Sequence, residues 1–398
     1  MMEAGETFPA PAPVAMATVY EQWPALAARP EVSCVDAWSA ACRAWWEDGR
    51  DARLRERASE ALLLGGEELA AWLARRLDPP ALILAHKHVT CMRAGVERDL
   101  SLRNLAAGAL RSHTALSLHR GGTRTVFMDA DKAAAEVARL GDVLEALPAN
   151  PLVRAAWLVQ AIGAVHPFAD ANGGTSRFLA SLELVRAYLP PLMLTVEQRN
   201  GSYIAALMHS NYTGDLAPLV LASHEVVQQL IAAALLARGG EGAAWDERTR
   251  ASAERWVAGV ERRWRAAIGE PLDEGLVRAD PAAPSERGAA IARLMRRGYR
   301  VPIAPEPRLA RWRLAAPLPV ELDLVIAPVR AGGIAWLVAM LGASAGAGGA
   351  LGSTGHSETV AGALIAPATE DDARADERFE RWLELRLDQC VRGLARWV

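Results

Sequence analysis

The sequence predicts a mainly α-helical protein whose C-terminal part changes to an α+β pattern. Through the first 238 residues, apolar side chains recur every three or four positions, which is the period of a helix packed on one face. Residues 115–128 instead alternate around Gly121-Gly122 and predict a β-hairpin. Residues 320–326 alternate with the period of a strand. The fold class is therefore a central all-helical domain with a β-hairpin flap, followed by an α+β domain.

Composition excludes several classes of protein. Half of the 398 residues are hydrophobic (51%) and 23% are charged, which is typical of a globular chain. The net charge of −3 gives no sign of nucleic-acid binding. The first 15 residues have neither a basic segment nor an apolar core, so a signal peptide is not expected. The long uncharged run 331–355 holds too many glycines for a membrane span, and no membrane association is expected. Four cysteines without a Cys-x-x-Cys pair favour a reducing cytoplasm.

Breaks in the pattern divide the chain into five parts. Residues 1–30 predict a flexible lead with at most a short helix at 20–26. Residues 31–78 predict an N-terminal helical region, and 79–238 the central domain. Gly and Ala dominate 239–246, which predicts a linker. Residues 247–398 form the predicted α+β domain, to which the sequence assigns no role.

Each predicted helix has its own start or stop signal. Gly65-Gly66 separates two helices, and Asp78-Pro79-Pro80 opens another with an Asp cap and Pro in the first turn. His86 and His88 on that helix are two apart and point to different faces, so a metal site is disfavoured. The predicted helices cover 33–48, 50–64, 67–77, 79–94, 102–113, 131–147, 151–165, 175–188, 202–208, 215–238, 245–268, 285–297 and 370–397.

The richest chemistry lies in the loop from His166 to Arg177. His166 titrates near neutrality and can take a proton from a hydroxyl. Asp170 offers a carboxylate to Mg²⁺, a hard cation that favours oxygen ligands. Asn172, Gly173 and Gly174 precede a helix, whose amino-terminal N–H groups attract a phosphate. Arg177, in the first turn of that helix, is poorly placed for the helix dipole, and a phosphate partner would rationalise it. The loop predicts attack on a phosphate.

This loop resembles the motif of the Fic/Doc family, His-Pro-Phe-x-Asp/Glu-Gly/Ala-Asn-Gly/Lys-Arg-x-x-Arg. Eight positions match, from His166-Pro167-Phe168 through Asp170 to Gly173, and Arg177. The resemblance covers roughly residues 80–238. It implies transfer of part of a nucleotide, most often AMP from ATP, to a hydroxyl of a target protein. By that resemblance His166 is the general base, Asp170 the Mg²⁺ ligand, Asn172 and Gly173 the α-phosphate nest, and Arg177 the holder of the outer phosphates.

One position departs from the family pattern, because Gly174 stands where the first arginine is expected. Losing one charge-assisted phosphate contact costs about 1.5–3 kcal/mol, which weakens an enzyme more often than it abolishes one. Three explanations are open: another residue substitutes, the donor differs, or catalysis is lost. Phosphocholine or phosphate transfer from another donor therefore remains an alternative, as does a nucleotide-binding scaffold.

The hairpin at 115–128 is the predicted docking site for the target. In the family, a hairpin flap before the motif pairs with the target segment by strand addition, and an exposed sheet edge supplies the hydrogen bonds for it. A purely structural hairpin is the alternative. Some relatives carry an inhibitory Ser/Thr-x-x-x-Glu-Gly/Asn helix. The two Glu-Gly pairs here, at Glu241 and Glu274, lack Ser or Thr four residues earlier.

Overall fold

The computed structural model describes most of the N-terminal half of the chain and the secondary-structure elements of the rest. The described residues are 7–8, 10–47, 58–97, 107–118, 124–194, 198–199, 201–238, 245–268, 276–278, 308–314, 320–331, 334–345, 357–367, 375–377 and 379–384. They fall into two compact units, Met1–Val227 and Gln228–Val398. The first unit is helical apart from a small sheet, and the second is α+β, so the predicted fold class is confirmed.

Eleven helices can be numbered along the described part of the chain. They are α1 Met16–Ala27, α2 Pro30–Ser33, α3 Val35–Glu47, α4 Gly66–Ala74, α5 Pro79–Glu97, α6 Ala130–Ala146, α7 Pro151–Val165, α8 Asn172–Arg186, α9 Ser202–Thr213, α10 Ala217–Arg238 and α11 Glu247–Ile268. Further helical residues lie at 58–62, 198–199, 375–377 and 379–384. Within these described ranges, no helix is both long and apolar enough to cross a bilayer.

The core of the first unit is the pair α7 and α8, which pack along each other on either side of the motif loop. Helix α7 starts where predicted, because the Asn150 side chain accepts hydrogen bonds from the N–H groups of Leu152 (3.1 Å) and Val153 (3.2 Å). Twelve of its fifteen residues are buried. A helix that is buried on all sides cannot shift easily, so the position of the motif loop at its carboxyl end is fixed.

The predicted hairpin is present. Strands β2 (Leu116–Leu118) and β3 (Arg124–Val126) pair antiparallel, and residues 119–123 between them lie outside the described residues. Strand β1 (Thr7–Phe8) pairs parallel with the other edge of β3, giving the order β1-β3-β2. No sequence signal pointed to this third strand. It covers the edge of β3 that the hairpin alone would leave open.

The N-terminal lead is more ordered than the sequence predicts. Helix α1 is longer than the short helix expected at 20–26. Before it, the Val14 N–H donates to Gln160 Oε1 (2.8 Å), and the indole N–H of Trp157 donates to the Val14 carbonyl (2.9 Å). Residues 12–14 are thereby fixed to α7.

The predicted helix over 102–113 is wrong where the structure describes it. Residues 107–115 are not helical. Gly108 has φ +83°, a left-handed conformation that ends any helix. The predicted helix at 285–297 lies outside the described residues, as do residues 239–244 of the predicted linker.

The second unit contains a five-stranded antiparallel sheet with the order β4-β5-β6-β7-β8. The strands are β4 Leu276–Arg278, β5 Arg308–Leu314, β6 Val320–Ala331, β7 Ile334–Ala345 and β8 Ser357–Pro367. One face forms a core with α11 through Trp256, Trp264 and Trp312. Asp323 stands opposite Arg311 in the register, and Glu321 opposite Arg313.

Candidate functional site

The motif loop begins and ends with residues in the left-handed conformation. His166 caps α7 with φ 49° and ψ 56°, and Ala171 precedes α8 with φ 58° and ψ 10°. Neither residue is Gly, and a non-Gly residue with positive φ is uncommon. The two reversals bring the carboxyl end of α7 and the amino end of α8 to the same loop. Of the predicted site residues, His166 and Asp170 therefore lie in the loop, and Asn172, Gly173, Gly174 and Arg177 lie in the first two turns of α8, which starts three residues before the predicted position.

Asn172 holds the loop in this shape through its side-chain amide. Its Oδ1 accepts from the Phe168 N–H (2.9 Å), and its Nδ2 donates to the Phe168 carbonyl (2.8 Å). Asn172 is 2% exposed, and Phe168 is fully buried. The side chain of Asn172 is thus committed to the loop backbone. Only its main-chain N–H is left for the predicted phosphate nest.

His166 is held in its neutral form. Burial lowers its pKa to about 4; a hydrogen bond to the Gly163 carbonyl opposes the shift, the nearby Arg111 adds to it, and Asp170 opposes it. The ring stacks on Phe127, with centroids 3.9 Å apart and an angle of 19°. A neutral imidazole has one N–H and one lone pair. Since an N–H serves Gly163, the lone pair of the other nitrogen can accept a proton.

Asp170 lies on the exposed side of the loop. Within the described part of the chain, no cluster of three or more His, Cys, Asp or Glu side chains could hold a metal. A single carboxylate nevertheless fits Mg²⁺, which keeps several waters and binds through one or two carboxylates plus substrate phosphates. Asp170 is therefore a suitable ligand for a nucleotide-bound Mg²⁺ and not for a metal held by protein alone.

The amino end of α8 offers the features of an anion site. The first N–H groups of a helix have no intrahelical partner, and Ala171 provides no side-chain cap. Gly173 is exposed there. A Cβ on Gly173 would lie 3.3 Å from Arg177 Nη1. The guanidinium and the amino end of the helix therefore face the same space, which a phosphate could share.

Gly174 has a packing role. A Cβ added there would lie 2.7 Å from Val89 Cγ1 on α5. Real Cβ atoms do not approach another carbon so closely, so the close packing of α8 on α5 requires a glycine at this position. The family's first arginine could not simply be restored at this position.

Two residues that hold the loop were missed in the sequence. His86 stacks on Phe168, with centroids 3.8 Å apart, and its Nε2 lies 3.2 Å from the Asp170 carbonyl oxygen. Arg111 donates from Nε to the His166 carbonyl (2.7 Å). His86 was noticed only as an improbable metal ligand. Arg111 fell in a segment predicted as helix, where no local pattern distinguishes it from a surface arginine.

Comparison with known proteins agrees with the motif. The model of the Fic/DOC family matches residues 68–184. A segment of 74 residues is 42% identical to protein adenylyltransferase fic-1 of Caenorhabditis elegans, covering 19% of this chain and 14% of that protein. Another of 56 residues is 45% identical to protein adenylyltransferase Fic of Drosophila yakuba, covering 14% and 11%. The alignments thus span less than a sixth of these relatives.

Solved structures of Fic proteins are also similar. A Fic family protein from Desulfovibrio desulfuricans aligns with 65% of this chain and 94% of its own, at 21% identity and a TM-score of 0.35. For fic-1 of C. elegans the shares are 46% and 50%, at 24% identity and a TM-score of 0.31. The match of the family model identifies residues 68–184 of this chain as a Fic/DOC family domain.

Proposed function

We propose that this chain is a Fic-type transferase that moves a nucleotidyl group, AMP from ATP, onto a hydroxyl side chain of a target protein. The observation that carries the proposal is the loop itself. It joins a neutral imidazole, an exposed carboxylate and an uncapped helix amino terminus overlaid by a guanidinium. The names of the curated relatives, protein adenylyltransferases, support the same chemistry.

In the proposed reaction, His166 accepts the proton of the target hydroxyl as its oxygen attacks the α-phosphorus. The new oxygen–phosphorus bond forms while the bond to the β-phosphate oxygen breaks, and pyrophosphate leaves. The N–H groups at the start of α8 bind the α-phosphate oxygens, and Arg177 holds the outer phosphates. Mg²⁺ held by Asp170 would neutralise phosphate charge. Positioning and fixed electrostatics supply most of the acceleration.

The second candidate is transfer from another donor, such as phosphocholine from CDP-choline or a phosphate from ATP. Gly174 favours CDP-choline as the donor, because this helix start carries one cation fewer than the family motif. A donor with fewer phosphates needs less positive charge. A nucleotide-binding scaffold without turnover is the remaining alternative.

The hairpin is the proposed docking surface for the target. One edge of β3 is paired with β1, so a target segment that adds as a strand would use the outer edge of β2 or displace Thr7–Phe8. Main-chain hydrogen bonds would supply affinity on either edge. Nucleotide and protein target are the two proposed partners.

Mass spectrometry tests the function. The chain is incubated with Mg²⁺ and either ATP or CDP-choline, together with candidate target proteins. A mass gain that is lost in His166→Ala supports transfer, and its size identifies the donor. His209→Ala is the matched control. His209 is an exposed histidine on α9, and its Nε2 lies 3.5 Å from Oδ2 of Asp215, which follows that helix. Nucleotide binding without any product would contradict the enzyme and favour the scaffold.

A further inference from the structure

Arg111 donates to backbone carbonyls from every part of its guanidinium. Nε donates to the His166 carbonyl (2.7 Å), Nη1 to the His113 carbonyl (2.6 Å), and Nη2 to the carbonyls of Met128 and, at 3.4 Å, Val165. Its own main-chain N–H donates to the Pro167 carbonyl (3.0 Å). Only 6% of Arg111 is exposed. A buried cation with this many bonds is fixed in one geometry.

These carbonyls belong to two different structures. Those of residues 165–167 lie at the carboxyl end of α7, where the last carbonyls have no intrahelical donor and the helix dipole favours a cation. The carbonyls of His113 and Met128 flank the hairpin, just before β2 and just after β3. One guanidinium therefore joins both ends of the hairpin to the end of the helix that carries His166.

The hairpin in turn contacts the imidazole. Phe127, which follows β3 and precedes Met128, stacks on the His166 ring at 3.9 Å. The Phe127 N–H donates to the Ala115 carbonyl (3.0 Å), which extends the hairpin pairing to this residue. Arg111 thus affects His166 in two ways. It binds the His166 carbonyl directly, and it binds the hairpin, whose residue Phe127 stacks on the His166 ring.

We propose that Arg111 is the positioning residue of this site, which fixes the His166 imidazole and the hairpin in one arrangement so that a hydroxyl presented on the hairpin meets the base. The inference rests on the proposed function. Arg111 touches no reacting atom and acts through His166 and Phe127. A shift of 1 Å in such a constellation can cost a factor of about 10² in rate, so one buried arginine can control turnover without binding either substrate.

The positive charge of Arg111 also affects the pKa of His166. The groups that act on the His166 imidazole are Arg111, which disfavours its protonation, and Asp170, which favours it. Asp129, just after the hairpin, acts on Arg111. Removing the Arg111 charge leaves Asp170 unopposed, so the pKa of His166 is expected to rise. An arginine that only stabilises another part of α7 would leave the pKa of His166 unchanged.

The experiment compares Arg111→Gln and Arg111→Lys with a control arginine that binds backbone carbonyls at the other end of α7. Arg154→Lys is the matched control, because Arg154 also donates to backbone carbonyls, those of Glu145, Leu147 and Pro148, at the opposite end of α7. Histidine Cε1 resonances are titrated by NMR, with His166 assigned from its loss in His166→Ala. Single-turnover rates and nucleotide affinity are measured on the same samples.

Arg111→Gln is expected to raise the His166 pKa and to slow transfer roughly 10- to 1000-fold, with nucleotide affinity unchanged. Arg111→Lys keeps the charge, so we expect it to lower the rate while the His166 pKa moves little. Arg154→Lys should change neither. Folded Arg111 variants with unchanged rate and His166 pKa would overturn the proposal. Unfolding of both variants, but not of Arg154→Lys, would assign Arg111 a structural role instead.

The NMR titration does not require turnover. If the unaltered protein gives no product with any donor, the proposed function fails, whatever the titration reports; if transfer survives in His166→Ala, His166 is not the base. If transfer depends on His166 but not on Arg111, only the positioning inference fails.

Discussion

On each side of the motif loop a histidine stacks on a phenylalanine, but one histidine anchors the loop and the other is the proposed base. On the α5 side, His86 stacks on Phe168 and is 2% exposed; on the α7 side, His166 stacks on Phe127. Burial lowers the pKa of both imidazoles. Neutrality is therefore common to both, and it does not distinguish an anchor from a base.

The difference lies in how many ring nitrogens are already bonded. The Gly108 N–H donates to His86 Nδ1 (2.8 Å), which must be unprotonated, so Nε2 carries the hydrogen that faces the Asp170 carbonyl (3.2 Å). Both nitrogens of His86 are used by the backbone. His166 bonds Gly163 and keeps one lone pair for chemistry. A buried histidine is an anchor when both nitrogens are bonded and can act as a base when one is not.

The largest effect expected from this comparison is on stability at the anchor. His86→Ala should lower the free energy of unfolding by about 2–4 kcal/mol, since it removes a buried ring and leaves the Gly108 N–H and the Asp170 carbonyl without their partner. His166→Ala should cost much less, because His166 as a whole residue is more exposed than His86 and its ring bonds fewer groups. Urea denaturation of both variants measures the difference, and equal losses would contradict the assignment of His86 as the anchor.

The pH dependence of the rate tests the base. With a His166 pKa of about 4, the acid limb of kcat/KM should lie well below the ordinary value of about 6.5. At pH 5 the enzyme should be roughly thirty-fold more active than a base with the ordinary pKa would allow. An acid limb near 6.5 would show that His166 is not held neutral in the free enzyme.

The same shift makes stability depend on pH. Because the folded pKa of His166 is depressed, the unfolded state binds more protons between pH 6.5 and about 4. Stability should therefore be fully present above pH 6.5 and fall as the pH drops through that window. His86, also depressed, should act in the same direction. Chemical denaturation at several pH values, with His86→Phe and His166→Gln for comparison, separates the two contributions.

A smaller effect is expected where α8 meets α5. Gly174→Arg, which restores the family residue, should destabilise the chain by about 1–3 kcal/mol because its Cβ would meet Val89 Cγ1. Val89→Ala should relieve part of this cost in the double variant. If the double variant also transfers AMP faster, the missing cation limits the reaction; if its rate is unchanged, another residue or donor compensates. Full stability in the single variant would contradict the close packing.

An effect of similar size should come from the amide that closes the loop. Asn172→Ala removes two hydrogen bonds to Phe168 and should cost about 1–3 kcal/mol. Asn172→Asp keeps the acceptor for the Phe168 N–H but places a buried oxygen against the Phe168 carbonyl, so it should cost at least as much as Asn172→Ala. Thermal unfolding compares the two variants, and a smaller loss in Asn172→Asp would mean that the donated bond to the Phe168 carbonyl matters less than expected.

Much of the site follows from local sequence. His166, Asp170, Gly173 and Arg177 lie within twelve positions, between a helix capped by Asn150 and a second helix that starts at Asn172. Helix starts, glycines and short spacings act over a few residues, so they can be recognised in the chain itself. The hairpin was predictable for the same reason, since its alternation surrounds a Gly-Gly turn.

Other parts of the site depend on contacts between distant residues. Arg111 reaches His166 across 55 positions, His86 reaches Asp170 across 84, and β1 joins β3 from the other end of the first unit. Residues 107–113 were predicted to be helical but are not, because Gly108 adopts a left-handed conformation and its N–H donates to His86. The role of Gly174 became visible only with Val89 beside it.

The sequence by itself determined the mainly helical class, the loop that carries the chemistry and the residues that can perform it, because those properties are encoded in short-range spacing and side-chain type. The tertiary structure alone decided which histidine is bonded at both nitrogens, which arginine connects the hairpin to the base, and why a glycine stands in place of an arginine. Each of these features is a contact between two residues far apart in the sequence, and such contacts form only when separate segments pack together.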